Sequence, residues 1–292
     1  IANLDNPDYV FETTQTSRDA FDNSIAEFST MMNDKAKEIG CTNTNFVNPN
    51  GIYNDNHYST AYDLALIGKY AYENAIIKSI GSKASYNLAK NENHPTYTST
   101  NALLRNTHRY YYEYANGLKT GYTDAAGYCI IATASKDGID LICVILKGER
   151  LSDGTATRET DCINLFNYGF DNYKSVNLVT EGDVVRTIDI LNGTEDTKKL
   201  DVTAVNTLNC VVFTDEVVDV TPILQFNNIL SPIAKGQVVG TITYTIDGVS
   251  YSSDLIASHD VYSSSVMNII LALLAVFMVL LILVTVISIK KK

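Results

Sequence analysis

Tryptophan is missing from this sequence, and 292 residues hold only five prolines and five cysteines. Basic side chains are also scarce: 22 lysines and arginines face 33 acids, for a net charge of −11. No basic stripe is available to neutralise phosphates, which argues against a nucleic-acid partner. Cys41, Cys129, Cys143, Cys162 and Cys210 form neither a C-x-x-C pair nor a cluster with histidine, so no zinc site is expected. Their odd number speaks against a disulfide framework, and Cys129 and Cys143, set in apolar runs, read as small buried hydrophobes. His57, His94, His108 and His259 are scattered and read as surface or loop residues. Neither a metal nor a cofactor is expected. The start, Ile1-Ala2-Asn3-Leu4-Asp5, has no initiator methionine, basic segment or apolar segment, and reads as a chain cut at its N-terminus.

What is present is apolar substance: 46% of the residues are hydrophobic, enough for more than one core. From Val266 to Ile289 no residue is charged, and Lys290-Lys291-Lys292 follow. As a helix this run is about 36 Å long, against a hydrocarbon thickness of about 30 Å. It reads as a transmembrane helix over 266–289, a single-pass C-terminal anchor whose basic end stays inside and whose preceding body stays outside the membrane.

Ahead of it the pattern changes twice. Ser24 to Glu27 has capping-box spacing, and Phe28, Met31, Met32, Ala36 and Ile39 follow at helical intervals up to Gly40, predicting a helix with a methionine-rich core stripe. Thr60 and Asp63 open a second helix to about Glu73, expected to bury Ala61, Leu64, Ala65, Ile67 and Ala71. A polar stretch, Asn87 to Thr100, leads to strands. Tyr128–Ser135 and Ile139–Leu146 flank Lys136-Asp137-Gly138, a hairpin signal. A third helix is predicted over Thr157–Tyr168, stopped by Gly169. From about Asn177 to Ser258, short alternating runs and turns such as Asn192-Gly193 and Asp247-Gly248 predict a small all-β domain.

Between the helical and strand regions lies Ala115-Asn116-Gly117-Leu118-Lys119-Thr120-Gly121-Tyr122-Thr123. Glycines bracketing a short extended segment mark a strand edge that another backbone can approach, and a peptide laid there meets Lys119 and Thr120. Lys-Thr-Gly is a signature strand of serine penicillin-recognising enzymes. With Phe46-Val47-Asn48-Pro49-Asn50-Gly51, His57 to Ala65, Arg158 before Gly169-Phe170, and Lys235 to Ile242, the chain resembles the low-molecular-mass penicillin-binding D-alanyl-D-alanine carboxypeptidases, a family of serine peptidases.

The resemblance implies an α+β fold: a partial serine β-lactamase/transpeptidase-like domain over 1–172, a C-terminal β domain over 173–262, and the membrane span. It implies an enzyme that trims the terminal D-alanine from the peptidoglycan pentapeptide through an acyl-enzyme and is blocked by β-lactam antibiotics, on the extracellular side of a bacterial membrane. Lys119 and the backbone N–H of Tyr122 are then the catalytic groups, the latter an oxyanion donor, while Thr120, Gly121 and Arg158 bind substrate. The family's S-x-x-K and S-x-N motifs precede the helix at Ser24 and are missing from residues 1–23, so the chain by itself is expected to lack its nucleophile. It is also expected to show apolar surface and fold poorly. A non-catalytic cell-wall peptide-binding protein and a β-lactamase-like hydrolase are the alternatives.

Overall fold

The computed structural model of the chain describes residues 15–87, 96–227 and 229–290. The N-terminal residues 1–14, the middle of the polar stretch at 88–95 with His94, and the last two lysines lie outside the described residues. Two compact units emerge, Ile1–Asn172 and Tyr173–Lys292.

In the first unit, α1 spans Gln15–Glu38. Ser24 and Glu27 therefore lie inside the helix instead of opening it, because no glycine or proline between Gln15 and Asn23 stops it earlier. Gly40, at φ +95°, ends it as expected. The methionine stripe is not core: Met31 is 62% exposed, and Phe28 is exposed too. The packed face carries Ser29 and Ala36 instead, and Asn33 between them ties down a loop. Its side-chain amide donates to Phe46 O (2.8 Å), and its carbonyl oxygen accepts from Phe46 N–H (2.7 Å).

Helix α2, Ala61–Glu73, starts at Thr60, whose hydroxyl oxygen accepts from Asp63 N–H at 3.1 Å. Its buried residues are Asp63 and Gly68, whereas Ala61 is exposed. A short helix α3, Ala75–Gly81, and a strand pair, β1 (Ser85–Asn87) with β2 (Thr96–Thr98), were not legible in the polar sequence around them.

Three antiparallel strands, β3 (Ala115–Thr123), β4 (Gly127–Lys136) and β5 (Ile139–Gly148), form a sheet in that order, so β3 is an edge. The β4–β5 turn takes the left-handed backbone its Asp137-Gly138 pair favours, at φ 50° and 77°. Alternate residues of β4 face opposite layers. Ile130, Ala132 and Ala134 pack with Cys162 and Phe166 of α4, Thr157–Asn172. On the other face Ile131 meets α2 at Gly68, where a Cβ would sit 2.8 Å from its Cγ2. Gly169 lies inside α4 instead of ending it. A Cβ there would come within 2.4 Å of Leu141 Cδ1, so this glycine serves close helix–sheet approach.

Cys143 and Cys162 are buried free thiols 3.4 Å apart. Cys129 is only half-buried, against expectation, because it lies near the start of β4 and lines an open cleft.

The second unit is built of strands. β6 (Tyr173–Val179) pairs with β9 (Leu208–Phe213). A five-stranded sheet runs β10 (Ile223–Phe226), β11 (Val238–Ile246), β12 (Val249–Ala257), β8 (Lys199–Ala204), β7 (Val184–Asp189). β8 buries every second residue, Leu200, Val202 and Ala204, against Ile242 and Leu255. Helix α5 follows over Ser265–Lys290. The side chains described in it, 268–282, are apolar apart from Asn268 and exposed, and this stretch is shorter than a bilayer crossing. Among the described residues no helix is long and apolar enough to cross a membrane, so the expected span is not shown.

Candidate functional site

The Lys-Thr-Gly segment lies on the free edge of β3, where strand alternation exposes Lys119 and buries Thr120. The Thr120 hydroxyl shares a 2.5 Å hydrogen bond with that of Thr100, and the Lys119 ammonium donates to Thr120 O. Among the described residues, its two chain neighbours apart, no atom lies within 4 Å of where a Gly121 Cβ would be, leaving the backbone open to an approaching ligand. Tyr122 is exposed, its ring 4.5 Å from that of its cross-strand partner Tyr128. Its hydroxyl donates to Asp124 at 2.9 Å, and the bond to that carboxylate raises the phenol's pKa.

Arg158 comes from the first turn of α4, far away in sequence. Gly148 lets that turn close on the sheet: a Cβ there would meet Tyr128 O at 2.9 Å and Arg158 Cβ at 3.1 Å. The Arg158 guanidinium sits 5.5 Å from the Tyr128 ring centre and pairs with buried Glu159, donating from Nε to Oε1 at 3.0 Å. The ion pair and the cleft position coexist, so the fork is held in place by Glu159 while facing the cavity.

All five residues singled out in the sequence come to one cleft of about 710 Å³: Lys119, Thr120, Gly121 and Tyr122 along one wall, with Arg158 beside them. The facing wall is the turn-rich loop, including Phe46, Asn48, Pro49 and Ile52. Two further residues enter that the sequence reading set aside. His57 is half-buried, packs edge-on to Phe46, and accepts from Val47 N–H at 3.3 Å. Burial lowers its pKa. Cys129 lines the same cleft, its thiol directed to Ala126 O at 3.4 Å. No serine is among the described residues lining the cleft.

A second cavity, of about 370 Å³, shares Thr100 and Arg158 with the first. It gathers Arg105, Arg109 and Arg150, none of which the sequence marked, and His108, which the sequence offered only as a surface or loop residue. Among the described residues, no grouping of His, Cys, Asp and Glu suits a metal ion.

Residues 19–150 match the family model described as D-alanyl-D-alanine carboxypeptidase, and residues 173–263 match that of the penicillin-binding protein 5 C-terminal domain. The D-alanyl-D-alanine carboxypeptidase DacF of Bacillus subtilis is 30% identical over 241 residues, covering 81% of this chain and 59% of that protein. The chain thus spans less than two thirds of that relative's length. Penicillin-binding protein 5 of Haemophilus influenzae superposes with a TM-score of 0.53 at 26% identity, over 82% of this chain and 67% of that one. A peptidoglycan synthesis regulatory factor of Streptococcus pneumoniae shares the fold, with a TM-score of 0.69 at 23% identity over 84% of this chain and 72% of that one. With one model over the unit that carries the cleft and the other over the strand-built unit, residues 19–150 belong to the D-alanyl-D-alanine carboxypeptidase family and residues 173–263 to the penicillin-binding protein 5 C-terminal domain family.

Proposed function

We propose that this chain supplies one wall of a serine-type D-Ala-D-Ala carboxypeptidase site, acting on peptidoglycan stem peptides and open to β-lactams. The observation that carries this reading is the open β3 edge, with Lys119, Thr120 and Gly121 lining a peptide-sized cleft beside Arg158. The substrate lies along that edge as an added strand, bonded to its main chain. Thr120 and the Arg158 fork receive the terminal carboxylate, the fork through charge-assisted hydrogen bonds. Lys119 adds positive potential at the reacting carbonyl and assists proton movement, and the backbone N–H of Tyr122 donates to the developing oxyanion. The attacking serine, with its lysine one turn on, has to come from an S-x-x-K segment, since the described lining holds no serine. In this reading residues 1–172 form the partial catalytic domain and 173–262 the β domain.

Membrane attachment is part of the proposal. Helix α5 has 26 residues over Ser265–Lys290 and carries no charge before its last residue, so as a whole it has the length for a single crossing. Such an anchor keeps the cleft at the outer surface, where peptidoglycan is found.

The deciding measurement is release of D-alanine from a peptide ending in D-Ala-D-Ala, by a protein joining this chain to an S-x-x-K segment. Lys119→Ala is expected to lower the rate at least about 100-fold, the loss typical of a transition-state donor, and to abolish labelling by a fluorescent penicillin. Undiminished labelling of a folded variant overturns the assignment of Lys119.

A further inference from the structure

The second cavity carries a surplus of positive charge of which the proposed reaction uses only Arg158. Four guanidinium groups, Arg105, Arg109, Arg150 and Arg158, line it against one carboxylate, that of Glu159. Glu159 is already engaged by Arg158. Among the described residues, Arg105, Arg109 and Arg150 have no ion-pair partner. Arg109 donates to Gly154 O and the Tyr110 hydroxyl, and the Arg150 guanidinium lies 5.8 Å from the Tyr128 ring centre. Neither arrangement neutralises a charge. The Nε of Arg105 is buried and has no hydrogen-bond partner at all. A buried unpaired donor and converging like charges each cost free energy. In a chain with a net charge of −11, these arginines are gathered into one concavity, with Asp153 the further acid whose charge interacts with Arg109.

We propose that this cavity is an anion-binding site that takes a carboxylate or phosphate group, adjoining the β3 cleft through Arg158 and Thr100. Its donors are planar forks suited to an oxyanion, and it is large enough for a small dianion. Inside it, His108 registers the field. Burial is the largest cause of its lowered pKa, and Arg105, Arg109 and Arg150 push in the same direction against the opposing pull of Glu159. An anion bound among the arginines reverses that push.

The test is calorimetric titration of the full chain, held in detergent micelles at low ionic strength, with inorganic phosphate and separately with malonate. Phosphate is expected to bind saturably at one site and to raise the His108 pKa in a proton NMR titration. Arg105→Gln and Arg150→Gln should each weaken binding at least tenfold, while Arg186→Gln in the second unit leaves it unchanged. Arg150 is exposed, so its variant keeps the test alive if Arg105→Gln fails to fold. Malonate competing with phosphate extends the site to carboxylates, and phosphate binding alone confines it to phosphates. Absence of saturable binding, or equal binding by both arginine variants and wild type, overturns the proposal. The measurement involves no turnover, so its outcome is independent of whether the cleft hydrolyses D-alanyl peptides.

Discussion

Asp63 shows how one buried carboxylate fastens loop to helix. It accepts from Asn43 N–H and from the Thr44 hydroxyl, each at 2.7 Å, and these bonds, the Thr44 hydroxyl first, hold its pKa below the usual carboxylate range. A pKa lower in the folded than in the unfolded chain stabilises the fold at every pH above the unfolded value, about 3.8. That stabilisation is lost as pH falls through the lower, folded value. Asp63→Asn is therefore expected to melt at a lower temperature than wild type at neutral pH, with the gap closing in acid. Thermal melts from pH 7 down to pH 2 check this. The sequence offered Asp63 only as a helix-start residue; its partners lie 19 and 20 residues back, where local spacing gives no hint.

At the scale of elements, what could be read in advance was what local chemistry decides. The β4–β5 hairpin follows from Asp137-Gly138, whose backbone preference is intrinsic, and the stop of α1 follows from Gly40 for the same reason. Helix ends and faces were less legible. Gly169 resembles a C-cap in sequence but answers to Leu141 on β5, and the packed face of α1 is chosen by Asn33 reaching Phe46. The cleft was legible because most of its functional wall is one contiguous strand. The arginine cavity was not, since its residues come from segments around 105 and 150 that meet only in the fold. Close approach of backbones yields a further prediction in the second unit. A Cβ at Gly240 would come within 2.4 Å of Gln225 O on the paired strand β10. Gly240→Ala should cost roughly 1–3 kcal/mol, the range of overpacking. Hydrogen exchange read by mass spectrometry should speed up in β10 to β12 and stay unchanged in β3 to β5.

For the whole molecule, the distribution of apolar surface decides behaviour in solution. Phe21 and Met31 on α1 and Ile269 to Ile282 on α5 present exposed apolar side chains. The full chain is expected to float with liposomes in a density gradient, and a version ending at Ser264 to remain at the bottom; equal flotation of both would remove the anchoring role of α5. The uncovered side of β3 has a consequence of another kind. A strand with unpaired amides and carbonyls is a template for the same strand of a second molecule, as well as for a ligand. Lys119, exposed on that strand, is then a gatekeeper whose charge discourages such self-pairing. Lys119→Ala should scatter more light as its concentration rises, and a saturating D-alanyl peptide, by occupying the template, should keep the solution clear.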